Sequence, residues 1–134
     1  MRILVAEDDA TTRRLIEGLL RSAGHEVAVV SDGAQAWRAL QEGCFEFVLL
    51  DWMMPEMEGV EVCRKIREDA ALRTTYVILI TAKDQPQDQV AGVDVGADDY
   101  LVKPLSSMDL RVALNLGAGV ITRRRGGRPC DRPI

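Results

Sequence analysis

Four short stretches of this chain carry groups that could do chemistry together: Glu7-Asp8-Asp9, Asp51, Thr81-Ala82 and Lys103-Pro104. Clustered carboxylates repel one another unless a cation sits among them. Oxygen-only ligands on a partly open edge suit Mg²⁺, which keeps several of its waters. A carboxylate beside Mg²⁺ can act as a nucleophile toward a phosphoryl group, and the metal and a lysine ammonium can offset the charge that gathers on the phosphoryl oxygens. A threonine hydroxyl nearby can hydrogen-bond the phosphate formed. Taken singly, each stretch has an ordinary reading. Glu7-Asp8-Asp9 could cap a helix, as could Thr81; Asp51 could end a strand in a turn, and Lys103 could be a solvated lysine. What joins them is the set of elements that precede them.

Apolar runs at residues 3–6, 26–30, 47–50, 76–80 and 100–102 predict strands. Helical periodicity and start and stop signals predict helices over 11–23, 34–42, 60–68, 88–95 and from 106 to 116 or 121. The strand runs are continuous rather than alternating, so both sheet faces are covered. Five successive βα units therefore predict an α/β fold, a doubly wound parallel sheet. Ligands of such sheets bind beyond the carboxyl ends of the strands. The four stretches follow the first, third, fourth and fifth strands. The second strand is followed by Ser31-Asp32-Gly33, an ordinary turn.

The remaining composition narrows the class. A chain of 134 residues, 47% hydrophobic and 28% charged, is the size and make-up of one globular domain. It has no apolar run near the roughly 20 residues of a membrane span. The apolar start at residues 3–6 meets acids at once, unlike a secretory signal, and predicts a cytoplasmic protein. Cys44, Cys63 and Cys130 show no metal-ligand spacing, and the first two read as small core residues. His25 is the only histidine and lies in a predicted turn. Residues 1–122 carry 12 Lys+Arg against 20 Asp+Glu, a net −8, whereas residues 123–134 carry five Arg and one Asp, a net +4. The acidic body repels nucleic acid. Residues 1–121 are thus expected to form the domain without direct nucleic-acid binding, and 122–134 a disordered basic tail or the start of a linker.

Residues 1 to about 116 resemble the receiver domains of bacterial two-component response regulators, including the chemotaxis receiver. The carriers are Ile3-Leu4-Val5-Ala6-Glu7-Asp8-Asp9, Leu50-Asp51-Trp52-Met53-Met54-Pro55 with Gly59, Thr81-Ala82, and Gly96-Ala97-Asp98-Asp99-Tyr100-Leu101-Val102-Lys103-Pro104. The resemblance implies a flavodoxin-like (βα)5 sheet of strand order 2-1-3-4-5. It implies that Asp51 accepts a phosphoryl group from a sensor histidine kinase or phosphotransfer protein, with only slow self-dephosphorylation. Mg²⁺, for which Mn²⁺ substitutes, would be held by Glu7, Asp8, Asp51 and the Met53 carbonyl. Thr81 and Lys103 would contact the phosphate, Tyr100 would turn inward as the switch, and the Lys103–Pro104 bond would be cis. Met53 and Lys83 occupy the positions that tune dephosphorylation. The kinase contact is expected along the first helix, and an output domain or partner on the face of the fourth helix, fifth strand and fifth helix. A phosphorylation-dependent dimer is allowed.

One position departs from the pattern. Receivers joined to winged-helix DNA-binding domains usually carry an arginine in the fifth helix, where this chain has Ala113. Residues 110–117 look more like receivers that precede other outputs, such as cyclic-dinucleotide enzymes. Among rival readings, a haloacid-dehalogenase-type phosphatase would want an aspartate at Met53 and a longer chain. A flavodoxin-like flavin binder would want a Ser/Thr/Gly-rich loop where Glu7-Asp8-Asp9 stands. A degenerate receiver serving only as a binding module would not need the full site. The chain reads as either a stand-alone receiver or a piece of a longer regulator.

Overall fold

In the computed structural model, residues 1–82 and 95–125 are described. Lys83, most of the helix expected over 88–95, and the end of the basic tail lie outside them. Five strands, β1 (Arg2–Ala6), β2 (Glu26–Val30), β3 (Phe47–Asp51), β4 (Tyr76–Thr81) and β5 (Asp99–Val102), pair in parallel in the order β2-β1-β3-β4-β5. The described residues also form α1 (Ala10–Ser22), α2 (Gly33–Glu42), α3 (Gly59–Glu68) and α4 (Ser107–Arg125). This last helix is the one expected as the fifth in the sequence.

The continuous apolar strands are explained by two cores. Leu4, Ala6, Val48, Leu50, Val77 and Leu79 face α2 and α3, packing with Leu40, Val62 and Ile66. Their alternates Ile3, Val5, Phe47, Leu49, Ile78 and Ile80 face α1 and α4, packing with Ile16, Leu20, Leu110 and Leu114. The side-chain period of two sends neighbours to opposite faces, and both faces are dry. Central β3 and β4 are buried throughout, whereas the edge strands β2 and β5 are mostly half-buried. Each Leu or Ile so buried contributes about 1.5–3 kcal/mol relative to exposure.

The last helix corrects the expected boundary. It runs to Arg125, four residues past the later of the two ends expected, 116 or 121. Tertiary contacts outweigh the helix-weakening glycines. Gly117 lies against Phe47 and Tyr76, where a Cβ would come within 2.5 Å of the Phe47 ring, so the missing side chain lets the helix approach the sheet. Ile121 is buried one turn on. Arg124 then pairs with Asp98 and lies over the Tyr76 ring, 5.9 Å from its centroid. Asp98 is also gripped by Arg67 of α3 and by the Val77 N–H, so it ties the end of α4 to the start of β5.

Candidate functional site

The parallel pairing brings the four stretches to one edge. Ala6 is level with Leu50, Asp51 with Ile80, and Thr81 with Val102. Glu7-Asp8, Asp51, Thr81 and Lys103 therefore emerge side by side from β1, β3, β4 and β5. Oxygens of Glu7, Asp8 and Asp51 lie within 4.8 Å of one another. Glu7 and Asp51 are buried, while Asp8 is exposed at the mouth. Lys103 bridges the two buried acids, with Nζ 2.7 Å from Glu7 Oε1 and 3.2 Å from Asp51 Oδ2. The contact with Asp51 has hydrogen-bond geometry. The shorter contact with Glu7 is an ion pair without that geometry, which leaves the buried Glu7 Oε1 lacking a hydrogen-bond donor.

The electrostatics follow from this crowding. Burial, followed by the hydrogen bond and the charge of Glu7, pushes the Asp51 carboxyl up to about 7, against the opposing pull of Lys103. Burial also works to raise Glu7, but the neighbouring Asp51 carboxyl, the Lys103 ammonium and the Asp9 N–H together outweigh it and hold Glu7 below the usual carboxylate range. Burial works to lower Lys103, and the two acids outweigh it and raise the ammonium above the usual lysine value. Without a metal, the Asp51 carboxyl thus holds a proton to higher pH than an ordinary aspartate does. One lysine does not offset three carboxylates. An oxygen-only set with one exposed member fits a hard divalent cation that retains water.

The backbone around the cluster is close-fitted. The Gly59 N–H donates to the Trp52 carbonyl at 3.0 Å, and a Cβ on Gly59 would sit 2.4 Å from the Asp51 carbonyl oxygen, so only glycine allows α3 to start here. Asp9 caps α1, accepting from the Thr12 N–H at 2.9 Å, and its own N–H donates to Glu7 Oε2 at 3.2 Å. Thr81 is buried, and its carbonyl accepts the Lys103 N–H at 2.8 Å. The Lys103–Pro104 bond is cis. The Met53 side chain is 54% exposed on the loop after Asp51. Tyr100 is half-buried and packs on Trp52. Lys83 lies outside the described residues.

Sequence reasoning missed Arg13, whose Nη1 donates to the Glu7 carbonyl at 2.9 Å. The signal was present: one helical turn past the Asp9 cap, position 13 comes back beside the acidic run. It also missed the edge-to-face meeting of Trp52 with Tyr100, which depends on how β3 and β5 flank β4.

Known proteins resemble this chain in sequence and fold. The family model described as response regulator receiver domain matches residues 3–115. The DNA-binding response regulator MtrA of Mycobacterium tuberculosis is 41% identical over 109 residues, which are 81% of this chain and 46% of that protein. The transcriptional regulatory protein YclJ of Bacillus subtilis is 40% identical over 110 residues, covering 82% of this chain and 47% of its own length. The chain thus spans about half the length of the curated relatives it matches. Among solved structures, the receiver domain of sensor histidine kinase PA1611 from Pseudomonas aeruginosa, with a magnesium ion coordinated in its active-site cleft, superposes with a TM-score of 0.82 at 32% identity. It covers 88% of this chain and 97% of its own. The chemotaxis response regulator CheY4 of Vibrio cholerae gives a TM-score of 0.82 at 28% identity over 87% of this chain and 97% of its own. With a family model matched over most of its length, this chain belongs to the response regulator receiver domains and serves phosphorylation-dependent two-component signalling.

Proposed function

We propose that Asp51 is the phosphoacceptor of a Mg²⁺-dependent switch. The observation that carries the reading is the convergence of the Glu7, Asp8 and Asp51 carboxylates within 4.8 Å, with Lys103 bridging the two buried ones. Glu7, Asp8, Asp51 and the Met53 carbonyl would hold the cation, Mg²⁺ or Mn²⁺. When bound, it supplies positive charge to the phosphoryl oxygens and displaces the proton from Asp51. An Asp51 carboxylate oxygen attacks phosphorus of a phosphohistidine donor. The P–O bond forms as the P–N bond breaks, and the imidazole leaves with its electron pair and takes up a proton. Lys103 pairs with a phosphoryl oxygen, and the Thr81 hydroxyl donates to another.

The added −1.5 to −2 charge, an approximate value at neutral pH, biases two packings of the domain. Thr81 moves toward the phosphate and Tyr100 turns into the space behind it. The β5 and α4 face, together with the segment before β5, then presents a new surface to an output domain or partner, or to a second copy. The donor, a sensor histidine kinase or phosphotransfer protein, docks along α1 beside the acidic mouth, in the cytoplasm. No helix of the described residues is long and apolar enough to cross a membrane. Met53 offers no group to orient a water, so the aspartyl phosphate decays slowly without help.

The test is incubation with acetyl phosphate or beryllofluoride and Mg²⁺, read by Trp52 emission and by intact mass. A Mg²⁺-dependent response and an added phosphoryl mass, both lost in Asp51→Ala and Asp51→Asn, are expected. If either variant still gained the phosphoryl mass, the acceptor would be another residue. Absence of any response in the unaltered chain, with Mg²⁺ binding measured separately, would favour a receiver that only binds.

A further inference from the structure

Asp8 is the exposed member of the carboxylate cluster, and among the described residues no hydrogen bond or ion pair reaches its side chain. Its direction is therefore set by the backbone on either side. On the C-terminal side, the Asp9 N–H donates to Glu7 Oε2, and Asp9 itself is pinned as the cap of α1. On the N-terminal side, Arg13 Nη1 donates to the Glu7 carbonyl at 2.9 Å, and this bond sets the plane of the Glu7–Asp8 peptide. Glu7 N–H is spent on the Val30 carbonyl at 3.2 Å, which holds the preceding peptide. We propose that Arg13 is a positioning residue for the metal: by holding the Glu7–Asp8 peptide it keeps the Asp8 carboxylate beside Glu7 and Asp51. This rests on reading those three acids as a Mg²⁺ site.

Charge alone would give Arg13 the opposite effect. A guanidinium next to a cation site repels the cation, so its removal would tighten binding if electrostatics dominated. A positioning role predicts weaker binding instead. It also predicts a change in selectivity. Mg²⁺ demands near-ideal octahedral geometry, whereas Ca²⁺ accepts flexible, irregular coordination. A loosened Asp8 should therefore penalise Mg²⁺ more than Ca²⁺, which a general loss of folding would not do.

The experiment is titration of the full chain with Mg²⁺ and with Ca²⁺, by calorimetry and Trp52 emission, for the unaltered protein, Arg13→Ala and Arg13→Lys, with thermal melts in metal-free buffer. Arg13→Ala is expected to raise the Mg²⁺ Kd roughly tenfold, the scale seen when partners behind metal ligands are removed. The Ca²⁺ Kd should rise much less. Arg13→Lys keeps the charge without the planar fork and should fall between; it carries the test should the alanine variant not fold. Unchanged or tighter Mg²⁺ binding overturns the proposal, as does equal weakening for both metals. A lack of Mg²⁺ binding by the unaltered chain would instead remove the metal-site reading beneath it.

Discussion

The indole of Trp52 meets the ring of Tyr100 edge to face, with centroids 6.2 Å apart and planes inclined at 79°. Trp52 directly follows Asp51, and Tyr100 stands on β5, so one aromatic contact joins the candidate acceptor to the candidate switch residue. Trp52 emission should therefore report Tyr100 movement as well as metal binding. Tyr100→Ala is expected to shift the resting emission and to shrink the beryllofluoride-induced change, while Tyr100→Phe preserves the contact and both signals. An undiminished beryllofluoride response in Tyr100→Ala would take Tyr100 out of the switch.

The elevated Asp51 carboxyl makes stability depend on pH. Its ordinary value is 3.8 and the fold pushes it to about 7. Between these values the folded chain holds a proton that the unfolded chain has lost. The contribution of Asp51 to stability is therefore full below the lower value, falls as pH rises through the window, and is gone above the upper one. Asp51→Asn cannot acquire the buried charge. In metal-free buffer at pH 8 it should be more stable than the unaltered chain by about 1–3 kcal/mol, with the difference shrinking toward pH 5. Urea titrations at the two pH values measure this, and saturating Mg²⁺ should remove the difference. A gap independent of pH would mean that Asp51 is ionised throughout.

Met53 stands two residues past Asp51 with an exposed, apolar side chain. Asn at this position could orient a water toward the phosphorus. Met53→Asn is expected to speed loss of the phosphoryl group several-fold, measured by the decay of phosphorylated mass after donor removal. An unchanged lifetime would show that the rate is set elsewhere in the site.

Two glycines of α4 should respond oppositely to alanine. At Gly117 the new Cβ would come 2.5 Å from Phe47 Cε1 and 3.0 Å from Tyr76 Cδ1, so Gly117→Ala should cost about 1–3 kcal/mol. At Gly119 the nearest atom is a guanidinium nitrogen of Arg123 at 3.6 Å, so Gly119→Ala should stabilise by up to about 1 kcal/mol through helix propensity. Thermal and denaturant melts distinguish the two. Equal effects would mean that the helix does not approach the sheet at Gly117.

Arg124 holds the last turn of α4 through Asp98, which Arg67 also grips. Arg124→Ala should leave the sheet intact but raise amide exchange over residues 119–125 by several-fold, since the local opening loses one partly exposed ion pair. Unchanged exchange would assign the order of that turn to Ile121 packing alone.

The sequence alone determined most of this protein's architecture. Continuous apolar runs separated by helical stretches admit few solutions other than a parallel sheet covered on both faces, and the residues after each run then fall at one edge by topology. That is why Glu7, Asp51, Thr81 and Lys103, up to 96 positions apart in the chain, were legible as a set before any coordinate was known. Tertiary structure decided what depends on distance rather than order. The length of α4 was one such matter, because the cost of its glycines is local while the contacts that outweigh it come from Phe47, Tyr76 and Asp98. The protonation of Asp51 was another, because it depends on how deeply Asp51 is buried and how near Glu7 and Lys103 stand. The role inferred for Arg13 was a third: helical spacing puts position 13 beside the acidic run, but only the packed chain shows that its guanidinium reaches the Glu7 carbonyl. Periodicity encodes which face a side chain takes, but fields and close contacts depend on separations that only the packed chain defines.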